Sequence, residues 1–133
     1  MIEFALVLPL TLLLVFGMLD FGKAFNYWID ETHLANTGAR WAVVNRNPGE
    51  GGGLSLQQYV KSLGDTSELQ AGMQVCVSFP SGSDDVGEPV RVEVTYPYDW
   101  MPFLDLPAGT TDLTSTATMR IEAARTAYEP GCA

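Results

Sequence analysis

The sequence predicts an α+β fold in which one long amino-terminal helix packs on a small antiparallel sheet. Three observations carry that prediction. The chain has an apolar run from Phe4 to Leu19, and from Phe21 onward apolar residues recur every three or four positions. Further along, three stretches alternate apolar and polar residues with the period of a half-buried strand. Between helix and strands, Ser55-Leu56-Gln57-Gln58 has the form of a capping box, which starts a short helix.

The apolar run holds 16 residues, about 24 Å as a helix and a little short of the usual membrane span. Pro9 sits inside it. Proline removes one backbone hydrogen bond and crowds the preceding turn, so a kink or local melting is expected there. Gly17 and Gly22 weaken helix but permit close approach of neighbouring helices. A signal peptide has a similar look, yet here the run continues into more helix and not into a small-residue cleavage site.

Beyond Asp20, the spacing Phe21, Phe25, Trp28/Ile29, Thr32, Ala35, Ala39, Ala42/Val43 follows an amphipathic rhythm, with Asn26, Asp30, Glu31, Asn36 and Arg40 largely between these positions. The helix is expected to end near Asn47-Pro48-Gly49, where proline disfavours helix at the residue before it and Gly49 to Gly53 break the chain. The short helix that follows runs to Leu63 and is closed by Gly64, with Leu56, Tyr59, Val60 and Leu63 as its apolar face. It reads as a lid on the sheet.

The strand candidates are Met73–Phe79, Val90–Tyr96 and Leu113 to about Ala123. Their inward residues are Met73, Val75, Val77 and Phe79; Val90, Val92, Val94 and Tyr96; and Leu113, Ser115, Ala117, Met119 and Ile121. Pro80 to Asp85 supplies turn chemistry between the first two, and Tyr96 to Leu104 forms a proline- and aromatic-rich crossover before the third. A three- or four-stranded antiparallel sheet follows.

Net charge is −9, distributed as −1 over residues 1–47 and −8 over residues 48–133. An acidic head favours solubility and mutual repulsion of exposed heads, and without a basic patch nucleic acid is a poor partner. Cys76 and Cys132 lie far apart with no CxxC or histidine-rich context. In an exported domain they would form a disulfide tying the carboxy-terminal tail to the first strand, contributing on the order of 3–4 kcal/mol; in a cytosolic one they would be unrelated thiols. His33, the one histidine, has no nucleophile or carboxylate set around it and reads as a surface or packing residue. Asp84, Asp85 and Glu88 lack the alternating ligands of a calcium loop and read as a solvated turn. Trp100, Met101 and Phe103 fit an exposed adhesive patch, a satellite core or a subunit contact equally well. No glycine-rich phosphate loop, HExxH, GxSxG or paired-carboxylate cleft occurs, so neither enzymatic activity nor a cofactor or metal is expected.

Glu3 heads the apolar run, and burying an unpaired carboxylate costs several kcal/mol. The nearby cation is the α-amine of Met1, which in its own chain lies too close to the same helix end to pair well. In staggered chains, the amine of one subunit reaches Glu3 of another. The other reading is an interfacial residue of a simple membrane anchor. Asp20 and Lys23 bracket the end of the run, as an i,i+3 pair or as markers of a membrane surface.

These residues carry a resemblance. Glu3-Phe4, the Ala-Leu-Val-Leu-Pro-Leu stretch through Pro9, and Phe16-Gly-Met-Leu-Asp-Phe-Gly-Lys-Ala24 are similar to the amino-terminal signature of TadE-like pilins, in the tight-adherence branch of type IV pili. The likeness covers about the first quarter of the chain, with a looser echo in the closing Thr-Ala-Thr-Met-Arg-Ile-Glu strand. It implies a pilin-like structural subunit of a cell-surface filament that serves adhesion and surface attachment. The division it implies is residues 1–22 as membrane and filament-core helix, 23–48 as amphipathic continuation, and 49–133 as acidic head. Assembly would involve Met1, Glu3, Phe4, Pro9, Gly17 and Gly22. The implied partners are copies of itself or related pilins, the cytoplasmic membrane before assembly, a prepilin peptidase and an assembly platform. Typical members have about four residues before the glutamate and a basic leader ending in glycine; two residues precede it here, as expected of a mature or trimmed form or of different processing. The remaining alternatives are a single-span envelope protein that binds a partner, and a minor or tip pilin.

Overall fold

The computed structural model describes residues 2–100 and 109–133, with side chains from residue 4 onward. Helix α1 spans Ile2–Val43, about 63 Å, and stays helical through Pro9. A single turn at Glu50–Gly52 leads to α2, Leu56–Ser62, and α3, Ser67–Gly72. Strands β1 (Gln74–Ser78), β2 (Pro89–Asp99), β3 (Thr110–Arg120) and β4 (Gly131–Cys132) form one antiparallel sheet in the order β3-β2-β1-β4. The carboxyl half of α1 lies on one face of this sheet, and α2 packs on α1 and β1. The expected α+β architecture is the observed one.

The alternation seen in the sequence matches the burial of each strand. Val75, Val77, Val90, Val92, Val94, Tyr96, Ser115, Ala117 and Ile121 are buried, while Thr114, Thr116, Thr118 and Arg120 are exposed. Strand β2 runs three residues farther than expected, to Asp99, so the first part of the anticipated crossover is strand. Pro97 is tolerated because β1 begins at Gln74, opposite Thr95, so no β1 residue lies beside Pro97 to need an N–H donor from it. Strand β3 starts at Thr110 and stops at Arg120, earlier at both ends than the Leu113–Ala123 reading. Met101 and Phe103 lie outside the described residues.

The capping box of α2 forms as expected: Ser55 Oγ accepts from Gln58 N at 3.2 Å and Gln58 Oε1 from Ser55 N at 3.0 Å. Leu63 is exposed, and Gln57 is buried in its stead. Gly64 keeps an ordinary φ, so it makes no left-handed turn; a Cβ there would come within 2.7 Å of Met73 Cε, so the glycine lets that side chain pack close. Helix α3 is absent from the sequence reading. Thr66 caps it, accepting from Leu69 N at 3.1 Å, with Glu68 in its first turn.

The long helix ends at Val43, before the expected Asn47-Pro48 stop. Asn45 adopts φ 51°, Arg46 N donates to Trp41 O at 3.0 Å and Asn45 N to Ala42 O at 3.1 Å. That pair of bonds is a Schellman motif with asparagine in the left-handed position. The carboxy-terminal tail reinforces it. Glu122 N and Ala123 N donate to Val43 O, Tyr128 Oη donates to Ala42 O, and Asn45 Oδ1 accepts from Thr126 N and Ala127 N, both at 2.8 Å. Strand β4 then closes on β1, with Cys76 opposite Cys132 and a disulfide joining them.

Candidate assembly surface

From Phe4 to Leu19 every residue except Gly17 is exposed, Phe4, Leu6 and Met18 by more than 70%. Such a surface is out of place in water; each exposed Leu or Phe side chain leaves about 1.5–3 kcal/mol of transfer free energy unrealised. Thr11, the polar side chain in its middle, donates to Val7 O at 3.0 Å and is satisfied within the helix. By length and composition α1 qualifies as a membrane-crossing helix, with a mean hydropathy of 2.3 over its most apolar window. The Glu3 and Met1 side chains lie outside the described residues.

At Asp20 the helix changes partner. Asp20 is buried under Tyr98, whose hydroxyl lies 2.6 Å from Asp20 Oδ1 and 3.1 Å from Asp20 O. Burial and then the Asp20 carboxylate push the Tyr98 phenol up. Lys23 reaches across to α3, with Nζ 3.2 Å from Glu68 Oε1 and Oε2, where an intrahelical Asp20 partner was expected. Tyr27 Oη donates to the same carboxylate at 3.1 Å, and the Lys23 hydrogen bond holds Glu68 below the usual carboxylate range.

The face that α1 turns to the sheet corrects the amphipathic reading. Ala24, Tyr27, Leu34, Ala35, Gly38, Ala39 and Ala42 are buried, together with Asp30 and Glu31, which the amphipathic spacing places between the apolar positions. Phe21, Phe25, Trp28 and Ile29, read as inward, are exposed. Small residues win this face because they let the helix lie close to the sheet: a Cβ on Gly38 would come within 3.1 Å of Val92 Cγ1 and 3.2 Å of Val60 Cγ2. Ala35, Ala39, Ala42 and Val43 are common to both readings. Thr32 is exposed, yet its hydroxyl lies 2.9 Å from Ser115 Oγ.

Two carboxylates are drawn into the helix–sheet layer by this rotation. Asp30 Oδ2 accepts from Asp65 N at 3.0 Å. Glu31 is fully buried, and among the described residues neither of its oxygens has a hydrogen-bond partner. Burial, with a smaller contribution from Asp30, pushes Glu31 up to about 8.

The outward aromatic stripe borders an open groove of about 220 Å³ lined by Phe21, Ala24, Phe25, Trp28, Trp100 and Leu113. Phe25 and Trp28 rings are 5.8 Å apart, and Trp100 packs edge-on against Tyr98 at 5.0 Å. Trp100 Nε1 donates to Thr111 Oγ1 at 2.9 Å. A second groove, about 480 Å³, continues up the helix along Trp28, Ile29, Thr32, His33, Asn36 and Arg40. His33 is an exposed residue of its wall. On the far side of the head, Asp84 binds Arg125 Nε at 2.7 Å, and Asp85 accepts from Ser83 Oγ at the same distance.

Comparison with known proteins points to the same segment as these contacts. The TadE-like protein family matches residues 1–40, the apolar rod and most of the helix that carries the head. That match is a likeness of the amino-terminal helix and does not extend to the sheet. No curated protein and no solved structure matches the chain.

Proposed function

We propose that this chain is a pilin-type subunit of a Tad-like cell-surface filament, held by its apolar helix in the cytoplasmic membrane before assembly and buried among neighbouring helices afterwards. The supporting observation is the exposed rod from Phe4 to Leu19, joined directly to an acidic, disulfide-closed head and lying within the family-matched segment. Moving the rod from lipid to protein exchanges one apolar surrounding for another, so small-residue packing and polar pairing select the arrangement, and export needs an energy-driven machine. Gly17 and Gly22 permit close helix approach, and Pro9 leaves a carbonyl of the preceding turn without its helical donor.

Glu3 is the register element of this reading. Its carboxylate pairs with the amino-terminal amine of a neighbouring chain, an arrangement only a stagger between subunits allows. Glu3→Ala should leave a folded, membrane-bound subunit that is missing from fibres sheared off cells. Electron microscopy and amino-terminal mass spectrometry of the sheared material test this; normal incorporation of the variant would contradict it. The same measurement separates a filament subunit from a single-span envelope protein, which shearing leaves on the cell, and stoichiometry in the fibre separates a major from a minor subunit.

A further inference from the structure

The apolar run and the head are joined with no spacer, and this has a consequence for the subunit in the membrane. Sixteen apolar residues make about 24 Å of helix against a hydrocarbon core of about 30 Å. Filling the core draws in about four more residues, as far as Lys23. Tyr98, however, binds Asp20, the first residue beyond the run, so the sheet end descends with the helix. Whatever depth the helix takes, the rim of the head goes with it into the interfacial layer.

The chemistry around that rim is one-sided. Phe21, Phe25, Trp28 and Trp100 border the groove, whose wall is almost without polar atoms, and the Trp100 indole N–H is already bound by Thr111. Aromatic side chains of this kind concentrate at bilayer interfaces. Among the described residues, the charges at the same level are turned away or covered: Lys23 pairs with Glu68 on α3, Asp20 lies under Tyr98, and Asp99 and Asp112 point from the opposite face of the sheet. We propose that before assembly the aromatic rim formed by Phe21, Phe25, Trp28 and Trp100 is a lipid-docking surface that seats the head on the bilayer interface and sets its tilt. The proposal rests on the membrane-spanning reading of α1 and is independent of filament formation.

The test uses the full chain in phosphatidylcholine vesicles at high lipid dilution, with Trp41→Phe so that Trp28 and Trp100 report. Vesicles carry lipid brominated either near the carbonyl or near the chain terminus. Shallow bromine should quench the indoles about twofold more than deep bromine, as interfacial aromatics require, with the same quenching at every protein-to-lipid ratio. In a Phe21→Ser/Phe25→Ser variant the chain should still float with vesicles while the quenching falls. Flotation with both indoles open to acrylamide and insensitive to brominated lipid would overturn the docking and leave the membrane reading standing. Protection that appears only as protein-to-lipid ratio rises would overturn it too, assigning the groove to a second copy of the chain. A chain that fails to float removes both readings.

Discussion

One helix lives in two surroundings. Between Phe4 and Leu19 it is apolar on all sides and exposed; between Asp20 and Val43 it is buried along one narrow face built of alanine, glycine, Tyr27 and Leu34. The upper half follows the logic of a water-soluble core, in which close packing decides who faces inward. The lower half follows that of a surface meant for other helices or lipid, where polarity gives no reason to prefer one side. Stability of the head and burial of the rod are therefore separate properties, and substitutions should sort between them.

The largest effect expected is loss of the Cys76–Cys132 bridge. Strand β4 is only two residues long, and beside the backbone bonds between Ala133 and Val75 the disulfide is its covalent tie to β1. Cys76→Ser with Cys132→Ser should cost the head about 3–4 kcal/mol in thermal or denaturant unfolding, with vesicle flotation unchanged. A loss of flotation would break the separation of the two halves.

Gly38→Val comes next. New methyl groups would press on Val92 and Val60, where even a Cβ is tight, and overpacking of this kind costs about 1–3 kcal/mol. Wild-type stability in this variant would show that the helix is not seated as closely as the buried small-residue face implies.

Glu31 sharpens the same comparison through pH. Its folded pKa, about 8, lies above the ordinary 4.5, so the folded state holds a proton that the unfolded state gives up. Stability from this group is fully present below about pH 4.5, declines as pH rises and is lost by about pH 8. Glu31→Gln should flatten that decline, so that its stability relative to the parent rises steadily from about pH 5 to about pH 8. Unfolding curves of both proteins between pH 5 and 8, in about unit steps, decide it; parallel profiles would mean that Glu31 is ionised in the fold.

Gly22→Ala should have the smallest effect. Nothing lies within 4 Å of a Cβ built there, and alanine favours helix by up to about 1 kcal/mol over glycine. The isolated subunit should be as stable or slightly more so. A filament defect in this variant, with an unimpaired monomer, would place Gly22 in a helix contact between subunits.

The strands were legible because period-two alternation is a local property: each side chain's face follows from its neighbour's. The cysteines were legible as a pair through their context. The side of α1 that meets the sheet was not. A stripe of Phe21, Phe25, Trp28 and Ile29 is the stronger apolar signal, but the sheet accepted the side that allowed closest approach, and Asp30 and Glu31 went in with it. The early helix stop also escaped. Asn45 in a left-handed conformation, held by Thr126 and Ala127 from the far end of the chain, outcompeted the proline signal at Pro48. Helix α3 had a readable start in Thr66-Ser67-Glu68, though too short a periodic stretch behind it to stand out. Tyr98 sat in what read as a crossover, so its hold on Asp20 had no local sign.

Sequence alone determined what repeats along the chain: an apolar rod, a helix to follow it, alternating strands, an acid at the head of the rod and two cysteines to join. Tertiary structure decided what depends on distance between remote residues. It chose the small-residue face of the helix, the clasp of the tail on Asn45, and the attachment of the sheet at the first residue beyond the rod. The physical reason is range. Periodicity is set by neighbours three or four positions apart, whereas the choice between two competing faces is made by a sheet whose strands lie dozens of residues away.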